Sequence, residues 1–211
     1  MRNLLARGNG KLGEGIHNWS LPPGQPTCPG RTAICEQVCY AKQGHFRFEQ
    51  VKDRLLWNWA QAQRADFVDQ MSAEIKRRGC LVIRIHVAGD FWSAEYAKKW
   101  LAIMKRCPRP RYYWYSRSWR IAEVAPVLEE MALLKCCRAW YSLDAETGMP
   151  ERVTVGVKLA YLQTSEDEKP ELVDLFFRVR RLRKQRISLP LACPHEADKL
   201  ENCGSCGRCF R

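Results

Sequence analysis

Buried-strand runs alternate with amphipathic helical segments through the middle of this chain, and that alternation limits the folds open to it. The apolar runs CLVIRIHVAG and RYYWYSRS are each followed by residues at helical spacing, with Ser93 as the N-cap of the first helix, which runs to about Lys105. The runs CRAWYSLD and VTVGVKLAYL come next. Strands separated by helices of this length are typical of βαβ units and a parallel sheet.

The flanking segments complete the predicted fold. GIHNWSLPPG predicts a short first strand, and the apolar spacing over Phe48–Arg78 predicts a long helix that stops at Gly79. A further helix is predicted over Pro170–Lys184, followed by a short strand, ISLPLA. About six mostly parallel strands are fewer than a closed eight-stranded barrel needs. We therefore expect a single-domain α/β protein: a partial, open β/α barrel over residues 1–192, with a cysteine-rich, cluster-binding tail over 193–211.

The length and hydropathy of the chain indicate the size of its core and its cellular location. Its 211 residues can bury one substantial core. No segment reads as a signal peptide or approaches the apolar length of a membrane span. The sequence predicts a cytoplasmic protein without a membrane partner, and thiols stay reduced in that compartment.

Seven of the eleven cysteines fall in two tight clusters. Cys28, Cys35 and Cys39 lie in one loop (28–39), and Cys193, Cys203, Cys206 and Cys209 lie near the chain's end. Thiolates at such spacings are typical of metal or iron–sulfur centres. The second set predicts a complete 4Fe-4S cluster, with zinc as the alternative. The first predicts a cluster with one open iron that could bind S-adenosylmethionine (SAM), or a zinc site completed by His17 or His45.

Polar residues follow the predicted strands at their carboxyl ends, where ligands bind in parallel α/β folds. Gly89 and Asp90 follow the second strand, Ser116 and Arg117 the third, and Asp144 the fourth. We expect Gly89, Asp90, Ser116 and Arg117 to help bind a cofactor or substrate, although tight turns and internal charge pairing would explain the same residues. No catalytic residue is assigned, and His86 is expected to be a core histidine.

Basic residues outnumber acidic ones by 35 to 23, a net charge of +12. Such a charge favours a polyanionic partner, which could be a nucleic acid or a nucleotide, and it also serves solubility. The segment FFRVRRLRKQR concentrates Arg178, Arg180, Arg181, Arg183, Lys184 and Arg186. It could contact phosphates, or it could be a charged outer helix face.

Several motifs in combination resemble the phage "gene product 88" family: GNGKLGEGIHNWSLPPGQPTCPG, the Cys35–Ala41 segment, HVAGDFWSAEYAKKW, the YSRS strand end and the CxxCxxC tail. The arrangement is more distantly similar to radical SAM proteins. Those have a cysteine loop after the first strand, a Gly-Gly-Glu-like turn after the second and often an extra C-terminal cluster. Here Ala88-Gly89-Asp90 takes the place of that turn.

The resemblance implies an iron–sulfur protein related to radical SAM enzymes, possible SAM binding, and a nucleic acid or nucleotide as a possible substrate. The alternative is a non-catalytic, nucleic-acid-binding protein in which zinc or iron–sulfur centres stabilise the fold. A third arrangement would bring both cysteine sets to one shared cluster.

Overall fold

Six parallel strands lie side by side in the order in which they occur along the chain. The computed structural model describes residues 2–183, 191–196 and 200–211. The sheet is an open half-barrel, so the predicted fold class is confirmed. Its strands are β1 (Ile16–Trp19), β2 (Val82–Ile85), β3 (Arg111–Ser116), β4 (Cys137–Leu143), β5 (Val157–Gln163) and β6 (Leu175–Arg178).

Helices connect the first four strands. α3 (Phe67–Arg78) packs against α4 (Ala94–Arg106), α4 against α5 (Ala125–Ala132), and α5 against β4, so these helices cover one face of the sheet. Ser93 accepts a hydrogen bond from the Tyr96 backbone N–H at 3.2 Å, which confirms the predicted N-cap of α4. The helices are α1 (Ala33–Gln37), α2 (Glu49–Gln63), α3 (Phe67–Arg78), α4 (Ala94–Arg106), α5 (Ala125–Ala132), α6 (Arg180–Arg183) and α7 (Cys203–Cys206).

The two faces of the sheet carry different residues because successive side chains on a strand point to opposite sides. Ile83 and Ile85 on β2, with Trp114 on β3, belong to the main core beneath the helices. The opposite face, here called the inner face, includes Arg84, Tyr113, Tyr115, Trp140 and Leu175. Its apolar members pack against the C-terminal tail rather than against helices.

The long helix predicted over Phe48–Arg78 is two helices, α2 and α3, with a break at Arg64. Arg64 has an extended backbone (φ −63°, ψ 147°) that ends α2. The Lys99 ammonium group, from α4, donates to the carbonyls of Ala62 and Arg64, both at 3.1 Å. A cation from another element thus satisfies carbonyls at the end of α2. Gly79 adopts the left-handed conformation (φ 57°) and ends α3 as predicted.

The helix predicted over Pro170–Lys184 is wrong for most of its length. Leu175–Arg178 is strand β6, which pairs with Ala160–Gln163 of β5, and the short α6 follows it. Buried sheet pairing overrides the helical spacing of the segment. Of the predicted ISLPLA strand, residues 187–190 lie outside the described part of the chain, and Ala192 forms an isolated parallel bridge with Phe176.

None of the helices in the described ranges is both long and apolar enough to cross a bilayer.

Candidate functional site

The first cysteine set lies on the loop after β1, at the carboxyl edge of the sheet. Cys28, Cys35 and Cys39 are here called the N-terminal thiol group. Cys35 interacts electrostatically with Cys39, and Cys28 with Cys35, so the structure brings the three together. Thr32 caps α1 by accepting a hydrogen bond from the Cys35 backbone N–H at 2.9 Å, and its hydroxyl donates to Asp144 at 2.6 Å. The cysteine loop is thereby tied to the end of β4.

Asp90 holds the turn after β3. Its carboxylate accepts hydrogen bonds from the Ser116 hydroxyl at 2.6 Å and from the Arg117 backbone N–H at 2.9 Å. It also accepts one from the Phe91 backbone N–H at 2.8 Å. Both oxygens of this buried carboxylate therefore have partners within the protein. Asp90 therefore positions Ser116 and the Arg117 backbone beside the cysteine loop.

Arg117 and Asp144 form a buried ion pair beside the N-terminal thiol group. The Arg117 guanidinium donates to Asp144 through Nη2 at 2.9 Å and Nε at 3.2 Å, and the Asp144 side chain is fully buried. Burial raises the pKa of Cys35, and the positive charge of Arg117 opposes that rise. Asp90, Ser116 and Arg117 thus meet Asp144 at the carboxyl edge of the sheet. Together they form a hydrogen-bonded frame beside the N-terminal thiol group.

Glycines allow the closest backbone approaches around this frame. A Cβ on Gly30 would lie 2.2 Å from the Arg117 carbonyl oxygen, so the cysteine loop touches the β3 turn here. Gly89 has a positive φ of 78°, and a Cβ there would lie 2.5 Å from the Leu21 side chain. The chain that lies closest to Gly89 is therefore the loop after β1, which contains Leu21.

Gly30→Ala is expected to lower the free energy of unfolding by about 1–3 kcal/mol, because the methyl group forces two backbones apart. Gly15→Ala is the matched control, since a Cβ there meets no atom within 4 Å. Urea unfolding of both variants measures the difference. Equal free energies of unfolding for the two variants would show that the loop can shift at Gly30 without loss of stability.

The second cysteine set lies against the inner face of the sheet. Cys193, Cys203, Cys206 and Cys209, here called the C-terminal thiol group, line one small cavity together with Leu175, Pro194, His195 and Arg208. The backbone N–H of Cys203 donates to the Lys11 carbonyl at 2.8 Å, and the Trp140 indole donates to the Cys209 carbonyl at 3.1 Å. Backbone and indole contacts thus fix the tail to the N-terminal segment and to β4.

The thiols are in surroundings that disfavour an isolated thiolate. Burial raises the pKa of Cys28 to about 12, with the Asp90 charge acting in the same direction. Burial raises the pKa of Cys209 to about 11, although Tyr115 opposes it. A metal ion must displace the protons of such thiols to bind. In the described residues, no three His, Cys, Asp or Glu side chains are placed to share a single metal ion.

His17 and His45, the alternative zinc ligands, each have other neighbours. His17 has Arg78, Arg7 and Glu74 as its charged neighbours, and the His45 ring packs on Phe48 at 5.5 Å. His86 is buried, with its Nε2 2.9 Å from the Tyr96 hydroxyl. That hydroxyl already accepts hydrogen bonds from the indole N–H groups of Trp19 and Trp100. Its proton therefore goes to His86 Nε2, which assigns the neutral ring its proton on Nδ1.

Acidification is expected to destabilise the fold through His86. Burial, and then the charge of Arg84, lower the pKa of His86 from 6.5 to about 3. The unfolded chain binds this proton more readily, so the stability contribution is complete above about pH 6.5 and is lost as the pH falls toward 3. Within that window the slope is about 1.4 kcal/mol per pH unit. His86→Asn, which tolerates the positive φ of 63°, should unfold with a flatter pH profile in thermal melts. Identical profiles would contradict the assignment.

Several residues of the site were not among the predicted ligands. Thr32 and Asp144 link the cysteine loop to β4, and the Tyr40 hydroxyl donates to the Val87 carbonyl at the end of β2. Arg84 lies on the inner face, 5.6 Å from the centroid of the Tyr115 ring. The alternation Ile83-Arg84-Ile85 was the available signal, because it turns Arg84 away from the core.

The basic segment is used partly inside the protein. Arg178 is buried at the end of β6, and Arg183 pairs with Glu196 at 2.6 Å. Arg181 donates to the Thr164 carbonyl at 2.7 Å. Lys184 and Arg186 lie outside the described residues. Three of the four described arginines of this segment are thus buried or bonded within the protein.

The chain belongs to the Gene product 88 family, whose profile matches residues 3–211. It is 27% identical to the Gene 88 protein of Mycobacterium phage L5, over 90% of this chain and 80% of that protein. It is also 27% identical to the Gene 88 protein of Mycobacterium phage D29, over 90% of this chain and 81% of that one. No solved structure matches. The phage-family resemblance is confirmed, whereas neither relative's name refers to iron, sulfur or SAM.

Proposed function

We propose that this protein is an iron–sulfur protein with one 4Fe-4S cluster at each thiol group, and that the N-terminal cluster carries out radical SAM-like chemistry. The observation that carries the proposal is the separation of the thiols into two sets. Cys28 and Cys39 interact with Cys35, while Cys203 and Cys209 interact with each other and with Cys193. Two sets of neighbours favour two centres over one shared centre.

The shared cavity and the spacing of the C-terminal thiol group support a cluster there rather than zinc. Four thiolates on one zinc ion lie about 3.8 Å apart, given a Zn–S bond of about 2.3 Å. A 4Fe-4S cluster gives each thiolate its own iron and holds the sulfur atoms further apart. All four thiols line one cavity, and the spacing Cys203-x2-Cys206-x2-Cys209 with a remote Cys193 is the pattern that predicts a cluster.

The N-terminal thiol group suits an open centre. Three cysteines can hold three irons and leave the fourth free to bind the amino and carboxylate groups of SAM. When bound and reduced, such a cluster supplies the electron that cleaves SAM. The chain's own contribution is the frame: Thr32, Asp90 and Asp144 fix the loop, and Arg117 places a positive charge near Cys35.

A nucleotide or nucleic acid is the proposed substrate class because the net charge of +12 favours a polyanion. A non-catalytic nucleic-acid-binding protein would share that charge. It would bind nucleic acid with an affinity that falls steeply as salt is added, without cleaving SAM.

Anaerobic purification tests the proposal directly. We expect a brown protein that absorbs near 400 nm with about eight iron atoms per chain. After dithionite reduction we expect cleavage of added SAM to 5′-deoxyadenosine and methionine. About four iron atoms per chain would reduce the proposal to one cluster. Stoichiometric zinc without iron would overturn it, and iron without SAM binding or cleavage would overturn its enzymatic part.

A further inference from the structure

Arg84 places a positive charge on the inner face of the sheet, and no carboxylate among the described residues forms a salt bridge with it. In the part of the chain that the structure describes, its buried Nε also has no hydrogen-bond partner. Arg84 is partly exposed and its Nε is buried, and a cation held partly out of water is normally paired because an unpaired buried charge costs several kcal/mol. An anion is therefore expected close to Arg84.

Two tyrosine rings hold the guanidinium in place. Its Cζ atom lies 6.0 Å from the Tyr113 ring centroid and 5.6 Å from that of Tyr115. Cation–π contacts of this kind orient a guanidinium but do not neutralise it. Burial raises the pKa of both phenols, so neither ring becomes the missing anion at neutral pH. The Tyr40 hydroxyl keeps its proton in a hydrogen bond that it donates to the Val87 carbonyl, so it does not supply the anion either.

Among the described residues, the thiols are the remaining groups near Arg84 that can become anionic. Cys203 and Cys209 pack in the same cluster as Tyr113 and Tyr115, the two rings that flank Arg84. Burial raises the pKa of Cys203, and Arg84 opposes that rise, as it does at Cys209. Arg84 also interacts with Tyr40, which directly follows Cys39 in the chain. Arg84 is therefore a neighbour of the C-terminal thiol group and of the residue next to the last cysteine of the N-terminal one.

We propose that Arg84 is the counter-cation of the C-terminal thiolate centre and keeps its reduction potential high. This inference rests on the proposed function, since it needs a cluster at Cys193, Cys203, Cys206 and Cys209. Four thiolates give an oxidised 4Fe-4S centre a net negative charge, which increases by one when an electron enters. A nearby cation stabilises the reduced form more than the oxidised form. Arg84 is therefore a residue that tunes the centre without ligating it.

The test compares the potentials of variants that still carry iron, read by dye-mediated titration and electron paramagnetic resonance. Arg84→Gln is expected to shift the reduction equilibrium of the C-terminal centre at least tenfold toward the oxidised form, about 59 mV for one electron. The N-terminal centre is removed beforehand by serine at Cys28, Cys35 and Cys39, so that one signal is measured. Arg84→Lys should restore most of the shift because it keeps the charge.

Arg106→Gln is the matched control, because Arg106 lies on α4 with an exposed side chain paired to Asp69. An Arg84→Gln protein with wild-type iron content and the potential of the control would overturn the inference. If Arg84→Gln does not fold, Arg84→Met supplies a neutral side chain that fills the space between the rings. If neither folds, a tenfold shift in Arg84→Lys, despite its retained charge, would overturn the inference. Absence of iron in the wild type would instead defeat the proposed function.

Discussion

Asp144→Ala is expected to lower the free energy of unfolding by about 3–5 kcal/mol, because it leaves the buried Arg117 guanidinium without its partner. The Arg117 side chain is only 12% exposed, so water cannot replace the lost carboxylate fully. The variant also loses the hydrogen bond from Thr32 that ties the cysteine loop to β4. Denaturant unfolding of wild type and variant, followed by circular dichroism, measures the difference.

Asp167→Ala, at an exposed position, is the control for the substitution itself and should change stability by less than about 0.5 kcal/mol. Arg117→Met combined with Asp144→Ala should recover part of the loss, since the pair is then replaced by apolar volume. If Asp144→Ala alone lowered the free energy of unfolding by less than about 1 kcal/mol, the Arg117–Asp144 ion pair would not be a main source of stability at this edge of the sheet.

Serine substitutions of the two thiol groups are expected to remove different halves of the bound iron. Replacing Cys28, Cys35 and Cys39 together should leave about four iron atoms per chain of about eight, and abolish SAM cleavage. Replacing Cys203, Cys206 and Cys209 should remove the other four and destabilise the tail. Iron and sulfide analysis after anaerobic purification gives both numbers.

Cys136→Ser is the matched control, because Cys136 lies just before β4, at the opposite end of that strand from Asp144. It should retain all the iron. If either triple substitution alone removed all the iron, the two thiol groups would belong to one shared centre and the two-cluster proposal would fail.

The sequence predicted the first five strands because each is a short apolar run between polar segments, the pattern of a buried parallel sheet. β6 escaped prediction because Phe176, Val179 and Leu182 recur at helical spacing among arginines. The segment is a strand because it pairs with β5, and the spacing of its own residues does not indicate that pairing. The break at Arg64 has the same kind of origin, since Lys99 of α4 takes up the carbonyls at the end of α2.

Part of the candidate site was predictable because, in parallel α/β folds, ligand-binding residues lie at the carboxyl ends of the strands. Asp90, Ser116 and Arg117 do meet at the carboxyl edge of the sheet beside the cysteine loop. The pairing of Arg117 with Asp144, and of Asp144 with Thr32, could not be read from spacing because it depends on how the loops fold over the edge. The alternation around Arg84 indicated that its side chain points away from the core, but it did not indicate that the C-terminal tail covers that face.

The attachment of the tail to the segment before β1 sets an order of assembly. The N–H groups of Cys203 and Gly204 donate to the carbonyls of Lys11 and Leu12, so residues from near the two ends of the sequence close over the inner face together. During synthesis the six strands emerge before the residues that complete this closure. Tyr113, Trp140 and the Arg84 charge therefore become covered only after all six strands have been synthesised, and a metal centre at these cysteines would form after the strands as well.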